Sequence, residues 1–188
     1  MGRLPSERAA ETLRWALDDT ETVERYWSHV RAVAGSSCSW WAGALSGRGH
    51  GRFWLARVDG HDIAVIAHRF AFGLVHGADE LLATRVLGHA CDNPLCQRVA
   101  ADHVRASTTV LNRREWAARR RLAGSVVNDR RGARGRARAL RDAVRAGGAD
   151  LAAVDGIGRD PGVQMPLWGA EPTGASGLGE TLSGTPAP

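Results

Sequence analysis

The sequence contains no lysine, so all 25 of its basic residues are arginine. Cysteine is scarce as well, three residues in 188, and an odd number cannot all pair within one chain. A disulfide framework is therefore a poor reading of them, and metal ligation is a better one. Long hydrophobic runs are missing too. The longest, Ile63 to Ala67, is far below the ~20 apolar residues that cross a bilayer. Nor does the start, Met1-Gly2-Arg3-Leu4-Pro5-Ser6-Glu7, lead into the apolar stretch of a signal peptide. The expectation is a soluble protein of the reducing cytoplasm with no membrane partner. The glycine patterns of a P-loop or a dinucleotide-binding turn are absent, as is Gly-x-Ser-x-Gly, so the commonest nucleotide-binding and serine-hydrolase readings drop out.

What is present is globular in balance. With 44% hydrophobic and 24% charged residues, collagen, coiled coil and global disorder are excluded, and 188 residues allow one domain with arms or two small domains. The formal net charge of +5 is unevenly spread. Residues 1–37 carry −1, residues 38–112 carry +1 and residues 146–188 carry −4, whereas residues 113–145 hold twelve arginines against three carboxylates, a net +9. A concentrated arginine field attracts a phosphate backbone. Coding bias would account for the missing lysine but not for the clustering.

Periodicity divides the chain into four parts: a helical segment over 1–37, a core over 38–124, an Arg-rich linker and basic helical appendage over 125–168, and a disordered tail over 169–188 rich in Gly, Ser, Thr and Pro. In the first, Ala10, Leu13 and Leu17 fall at helical spacing. A second helix follows Asp18-Asp19-Thr20, with Val23, Trp27, Val30 and Ala34 as its stripe and Gly35 at its end. Short strands are expected at Trp40-Trp41, 51–58 and 63–66, then a helix over 67–75 and a β-like run over 84–87 entering His89. Thr108 or Thr109 caps a helix reaching about Leu122. Arg134, Arg138, Arg141 and Arg145 recur beside Ala137, Leu140 and Val144, the pattern of a basic amphipathic helix. There is no internal repeat.

The chemistry concentrates between Cys38 and Asn112. Cys91-Asp92-Asn93-Pro94-Leu95-Cys96 supplies two thiols five positions apart, with His103 beyond and Cys38 upstream. Together they make a Cys3His set suited to a closed, tetrahedral structural zinc site. His61, His68 or His76 could supply the nitrogen instead of His103, and three buried free thiols are the plainer alternative. His89 lies two residues before Cys91, and Asn112 sits in the first turn of the expected helix. A metal-tied loop joining the two brings an imidazole that can take a proton from water to the same face as an amide oxygen that can hold a hard cation.

At this point the residues resemble a known family. Glu24-Arg25-Tyr26-Trp27-Ser28-His29-Val30, Cys38-Ser39-Trp40-Trp41-Ala42-Gly43-Ala44, Gly49-His50-Gly51-Arg52-Phe53, Ala67-His68-Arg69-Phe70-Ala71, Gly88-His89-Ala90-Cys91-Asp92-Asn93-Pro94-Leu95-Cys96, His103-Val104 and Asn112 follow in order. Over roughly residues 24–122 the chain is similar to HNH endonucleases of the zinc-binding homing-nuclease type, relatives of the His-Cys box enzymes. The resemblance implies an α+β fold with a zinc-stabilised ββα-metal (His-Me finger) core, flanked by N-terminal helices and a basic helical C-terminal extension. It implies zinc on Cys38, Cys91, Cys96 and His103, His89 as general base, and Asn112 as ligand of a catalytic divalent ion, usually magnesium. The chain departs from the family in a longer Cys96-to-His103 interval, and in Gly88 where an acidic residue or histidine often stands.

The implied function is hydrolysis of DNA phosphodiester bonds. The alternative is a non-catalytic DNA-binding protein on a degenerate scaffold of this kind. Arg48, Arg52, Arg57 and Arg69, with Arg113 and Arg114, are the candidate contacts to double-stranded DNA. The expected location is the cytoplasm, at the nucleoid when DNA is bound, and a homodimer is one arrangement open to it.

Overall fold

The computed structural model describes residues 6–58, 61–122 and 125–156. The tail expected over 169–188, and the end of the appendage over 157–168, lie outside the described residues. Helix α1 (Glu7–Asp18) begins where the Ser6 hydroxyl accepts from the Ala9 N–H, and α2 (Thr20–Ser28) begins where the Asp19 carboxylate accepts from the Thr22 N–H. The expected second helix stops sooner than its apolar stripe. His29 caps it, and Val30–Ala32 forms β1, paired antiparallel with β2 (Ser39–Trp41) in the register Val30 to Trp41. Strand pairing overrides a stripe that reads equally well at helical spacing, because Val30 gains a partner strand there.

Next come β3 (Arg52–Val58) and β4 (His61–Ile66), an antiparallel hairpin with a bulge between Trp54 and Ala56. The chain turns directly into α3 (Ala67–His76), which buries Ala67, His68, Phe70, Ala71 and Phe72. A short helix, α4 (Ala78–Ala83), was not expected from the sequence. Then β5 (Val86–His89) pairs antiparallel with β6 (Val104–Ser107) in the register His89 to Val104, and α5 (Thr109–Arg120) follows under a Thr108 cap. Strand, long loop, strand and helix thus succeed one another over 86–120. The architecture is mixed α+β with three two-stranded sheets among the described residues.

One apolar core joins these pieces. Tyr26, Trp41, Phe53 and Phe70 meet at its centre, with ring centroids 5.0–6.0 Å apart. Each large side chain so buried stabilises the fold by roughly 1.5–3 kcal/mol. Trp41 is seated by close backbone: a Cβ at Gly51 would lie 2.6 Å from its Cδ1, and one at Gly43 would lie 2.5 Å from its Cζ2. The linker expected over 125–136 holds a 3-10 turn (Val126–Asn128) and the start of α6 (Gly132–Arg145), which is the expected basic amphipathic helix and is followed by α7 (Leu151–Gly156). The stripe Ala137, Leu140 and Val144 is buried in the same core as Trp41 and Phe53, so α6 packs on the body rather than projecting from it. Arg145 Nε donates to the Ala42 carbonyl at 2.7 Å, which fixes the C-terminal end of α6 to the strand region.

Candidate metal and polar site

The Cys3His set comes together because β2 and the Cys91–Cys96 turn share backbone bonds. Trp41 N donates to the Leu95 carbonyl at 2.9 Å and Gln97 N to the Ser39 carbonyl at 2.7 Å, so Cys38 is carried to the side of Cys96. Asp92 adopts a left-handed conformation (φ 55°) and turns the chain between the thiols, while Asn93 Oδ1 accepts from Leu95 N at 3.0 Å. The ligand atoms of Cys38, Cys91, Cys96 and His103 all lie within 4.8 Å of one another. His103 turns Nδ1 to the sulfurs, 3.4 Å from Cys96 Sγ and 3.7 Å from Cys38 Sγ. Its buried Nε2 has no hydrogen-bond partner, although an Asp102 carboxylate oxygen stands 3.4 Å away. Mutual hydrogen bonding holds the Cys38 thiol far down, at about 2, and pushes Cys91 up to about 11 and Cys96 higher still. Three thiols and an imidazole at this spacing fit the donor set of a zinc ion, which the cluster could hold.

The other histidines considered for this set lie elsewhere. His61 is exposed, and His76 packs its ring 4.4 Å from that of Phe72. His68, at the start of α3, sits instead against His89, with Nδ1 to Nε2 at 3.2 Å. His50 completes a group of three rings, its centroid 5.3 Å from that of His68 and 5.8 Å from that of His89. The sequence reading attached no role to His50, although its place between two glycines before a strand was a visible signal. Burial, with His50 beside it, lowers His89 to about 3. Burial holds His68 well below its ordinary range, and His89 and His50 act in the same sense.

His89 and Asn112 line one cavity of about 210 Å³ together with Asp92 and Arg119. The β5–β6 pairing carries His89 to one wall, and the Thr108 cap starts α5 so that Asn112 falls in its first turn. A Cβ at Gly88 would lie 3.9 Å from Asn112 Oδ1, which puts that oxygen over the strand beside His89. Nδ1 of His89 is buried without a partner. Asp92, the one carboxylate on the cavity wall, is bound by Arg119 Nε at 2.5 Å. Burial raises Asp92 above its ordinary range while Arg119 pulls it the other way.

The arginines divide by what they touch. Arg48, Arg113 and Arg114 are exposed and have no hydrogen-bond or ion-pair partner among the described residues, and neither does the exposed side chain of Arg52. Arg57 pairs through its backbone with Asp62, and its side chain lies outside the described residues. Arg69, expected to face DNA, turns inward: one of its guanidinium nitrogens donates to the Leu81 and Thr84 carbonyls, each at 2.9 Å. In α6, Arg136 is buried against Asp155 at 2.5 Å and Arg141 is paired with Asp142, which leaves Arg134 and Arg138 facing outward. No described helix is long and apolar enough to cross a membrane. Compared with known proteins, the chain matches no family model, no curated protein and no solved structure.

Proposed function

We propose that this chain is a metal-dependent DNA endonuclease built on an HNH-type, ββα-metal core, with a structural zinc on the Cys3His cluster. The single observation that carries the reading is the cavity shared by His89 and Asn112 beside that cluster. In the proposed reaction a water oxygen attacks the phosphorus of a DNA phosphodiester, and its proton passes to His89. The P–O3′ bond breaks and the departing 3′ oxygen takes a proton from solvent water, leaving a 3′-hydroxyl and a 5′-phosphate. His89 Nδ1 is the ring atom with no partner, and His68 holds the opposite nitrogen, so the ring is fixed with one position open for a proton. Asn112 Oδ1 would hold a divalent cation, magnesium by expectation, and that ion would supply positive charge to the phosphate oxygens and the departing 3′ oxygen. Arg113 and Arg114, on the same helix turn as Asn112, supply unpaired positive charge where a duplex would approach.

A second reading, a DNA-binding protein without cleavage, is favoured by one feature. Asp92 is committed to Arg119, so Asn112 is the one free side-chain oxygen at the cation position. Plasmid cleavage with and without magnesium, run beside a binding titration, decides between them. The parent should cut, whereas His89→Ala should bind DNA as the parent does, keep its zinc and lose about 10²–10⁴-fold in rate. Asn112→Ala should behave alike, with part of its activity restored by excess cation. A parent that binds but never cuts establishes the second reading. Equal cutting by His89→Ala refutes the assigned base.

A further inference from the structure

A second cavity, of about 460 Å³, borders His50 and is not lined by Asn112. It shares His50 and Leu87 with the cavity that holds His89, so the two form one continuous surface. Its polar wall is made by Ser46, Arg48, His50, His68, Arg69 and Arg85, and no carboxylate lines it. Arg48 and Arg85 are exposed and have no hydrogen-bond or ion-pair partner among the described residues. Other arginines nearby are answered by protein, Arg69 by two carbonyls, Arg119 by Asp92 and Arg105 by Glu115, and the unpaired Arg52, Arg113 and Arg114 do not line this cavity. Two guanidinium groups left unanswered at one concave site call for an anion from outside.

The backbone that carries each arginine is held in place by its surroundings. Arg48 sits in a tight turn, where Ser46 N donates to the His50 carbonyl at 2.8 Å and Gly49 N to the Ser46 carbonyl at 3.1 Å. A Cβ at Gly47 would meet nothing within 4 Å, so the turn leaves its outer side open. Arg69, by gripping the Thr84 carbonyl, fixes the residue next to Arg85. Burial and the Arg48 charge both hold His50 below its ordinary range, as fits a pocket with cationic neighbours and no anion.

We infer that this cavity is a backbone subsite, in which Arg48 and Arg85 together grip one phosphate of the DNA strand adjacent to the phosphate bound at Asn112. The inference rests on the endonuclease reading for the identity of the strand. It adds Arg85, which the sequence did not single out, and removes Arg69 from the set that touches DNA.

The test uses the full chain and duplexes carrying a single uncharged methylphosphonate, walked through the bound site. For the parent, neutralising one phosphate should weaken binding about tenfold, the loss of a charge-assisted contact. For Arg48→Ala/Arg85→Ala the same duplex should bind within twofold of the unmodified one, and the salt slope of binding should fall by about 0.9. Loss of that coupling in the double variant supports the subsite whether or not the parent cleaves, so failure of the catalytic reading is visible separately. If the parent cleaves and the methylphosphonate weakens both proteins equally, the subsite is refuted and the nuclease reading stands. If inorganic phosphate binds in an Arg85-dependent manner while the duplexes show no coupling, the cavity takes a free anion and the backbone assignment is overturned. A parent that binds no DNA overturns both.

Discussion

Removing the metal from the Cys3His cluster should unfold residues 91–103 and leave the aromatic core standing. Eight hydrogen bonds tie this loop to the rest of the protein: Trp41 N to the Leu95 carbonyl, Gln97 N to the Ser39 carbonyl, Tyr26 Oη to Gln97 Oε1, Ala90 N to the His103 carbonyl, Asp92 N to the His89 carbonyl, Ala100 N to the Val104 carbonyl, Val104 N to the Arg98 carbonyl, and an Arg98 guanidinium nitrogen to the Ser37 carbonyl. At about 1 kcal/mol net each, with roughly 2 kcal/mol for burying Leu95, they supply about 10 kcal/mol. Ordering thirteen residues costs on the order of 13–26 kcal/mol. The ~10–16 kcal/mol that a structural zinc contributes when it folds its own ligands is enough to cover the deficit. The isolated protein should therefore carry about one zinc per chain. A strong chelator, or Cys91→Ser, should abolish hydrogen-exchange protection over 89–107 while protection over 52–73 persists. Folded protein free of zinc, or protection over 89–107 that survives chelation, would refute this balance.

Leu140 is fully buried in α6 among residues of the main core. Leu140→Ala should destabilise the whole protein by about 2–5 kcal/mol, read as a shift of the main urea transition, whereas an independent appendage would leave that transition in place. Gly88 has room for a side chain, since a Cβ there would meet Ser107 Cβ at 3.5 Å and Asn112 Oδ1 at 3.9 Å. On the proposed mechanism Gly88→Asp adds a carboxylate beside the amide oxygen, so half-maximal cleavage should need several-fold less magnesium. An unchanged or raised magnesium requirement counts against the cation position.

The zinc-type cluster was legible because its signal is chemical and short in range: two thiols within one turn, one imidazole just beyond, and a single cysteine left to complete the set. The helices α1, α3 and α5 were legible from their sequence patterns and, for α5, from the Thr108 cap, which acts locally. What the sequence did not disclose was partner choice. Val30 reads as the continuation of a helix stripe, and only the Trp41 strand beside it turns it to β1. The β6 strand hid inside a polar loop, because Val104 to Ser107 is paired by β5 and carries little pattern of its own. Arg69 and Arg85 show the same limit from the other side. Both are arginines near the site, and only the positions of the Leu81 and Thr84 carbonyls distinguish the one that is occupied from the one that is free.

The two halves of the candidate site are held by different forces. His89 is fixed from within, by the β5–β6 ladder and by His68 on the buried face of α3. Asn112 is not, for α5 buries no residue at all. Its position depends on polar ties: Arg105 to Glu115 at 2.6 Å, Arg119 to Asp92 at 2.5 Å, and Asn128 Nδ2 to the Arg120 carbonyl at 2.9 Å. Partly exposed pairs of this kind contribute little individually and are screened by salt. Asp92 is the residue that couples the halves, because it turns the chain at the cysteine knuckle and also anchors α5 through Arg119. A metal that orders the knuckle therefore orders Asp92, and through it the helix that carries Asn112. The structural cluster and the proposed catalytic pair are in this way mechanically linked, although they share no ligand.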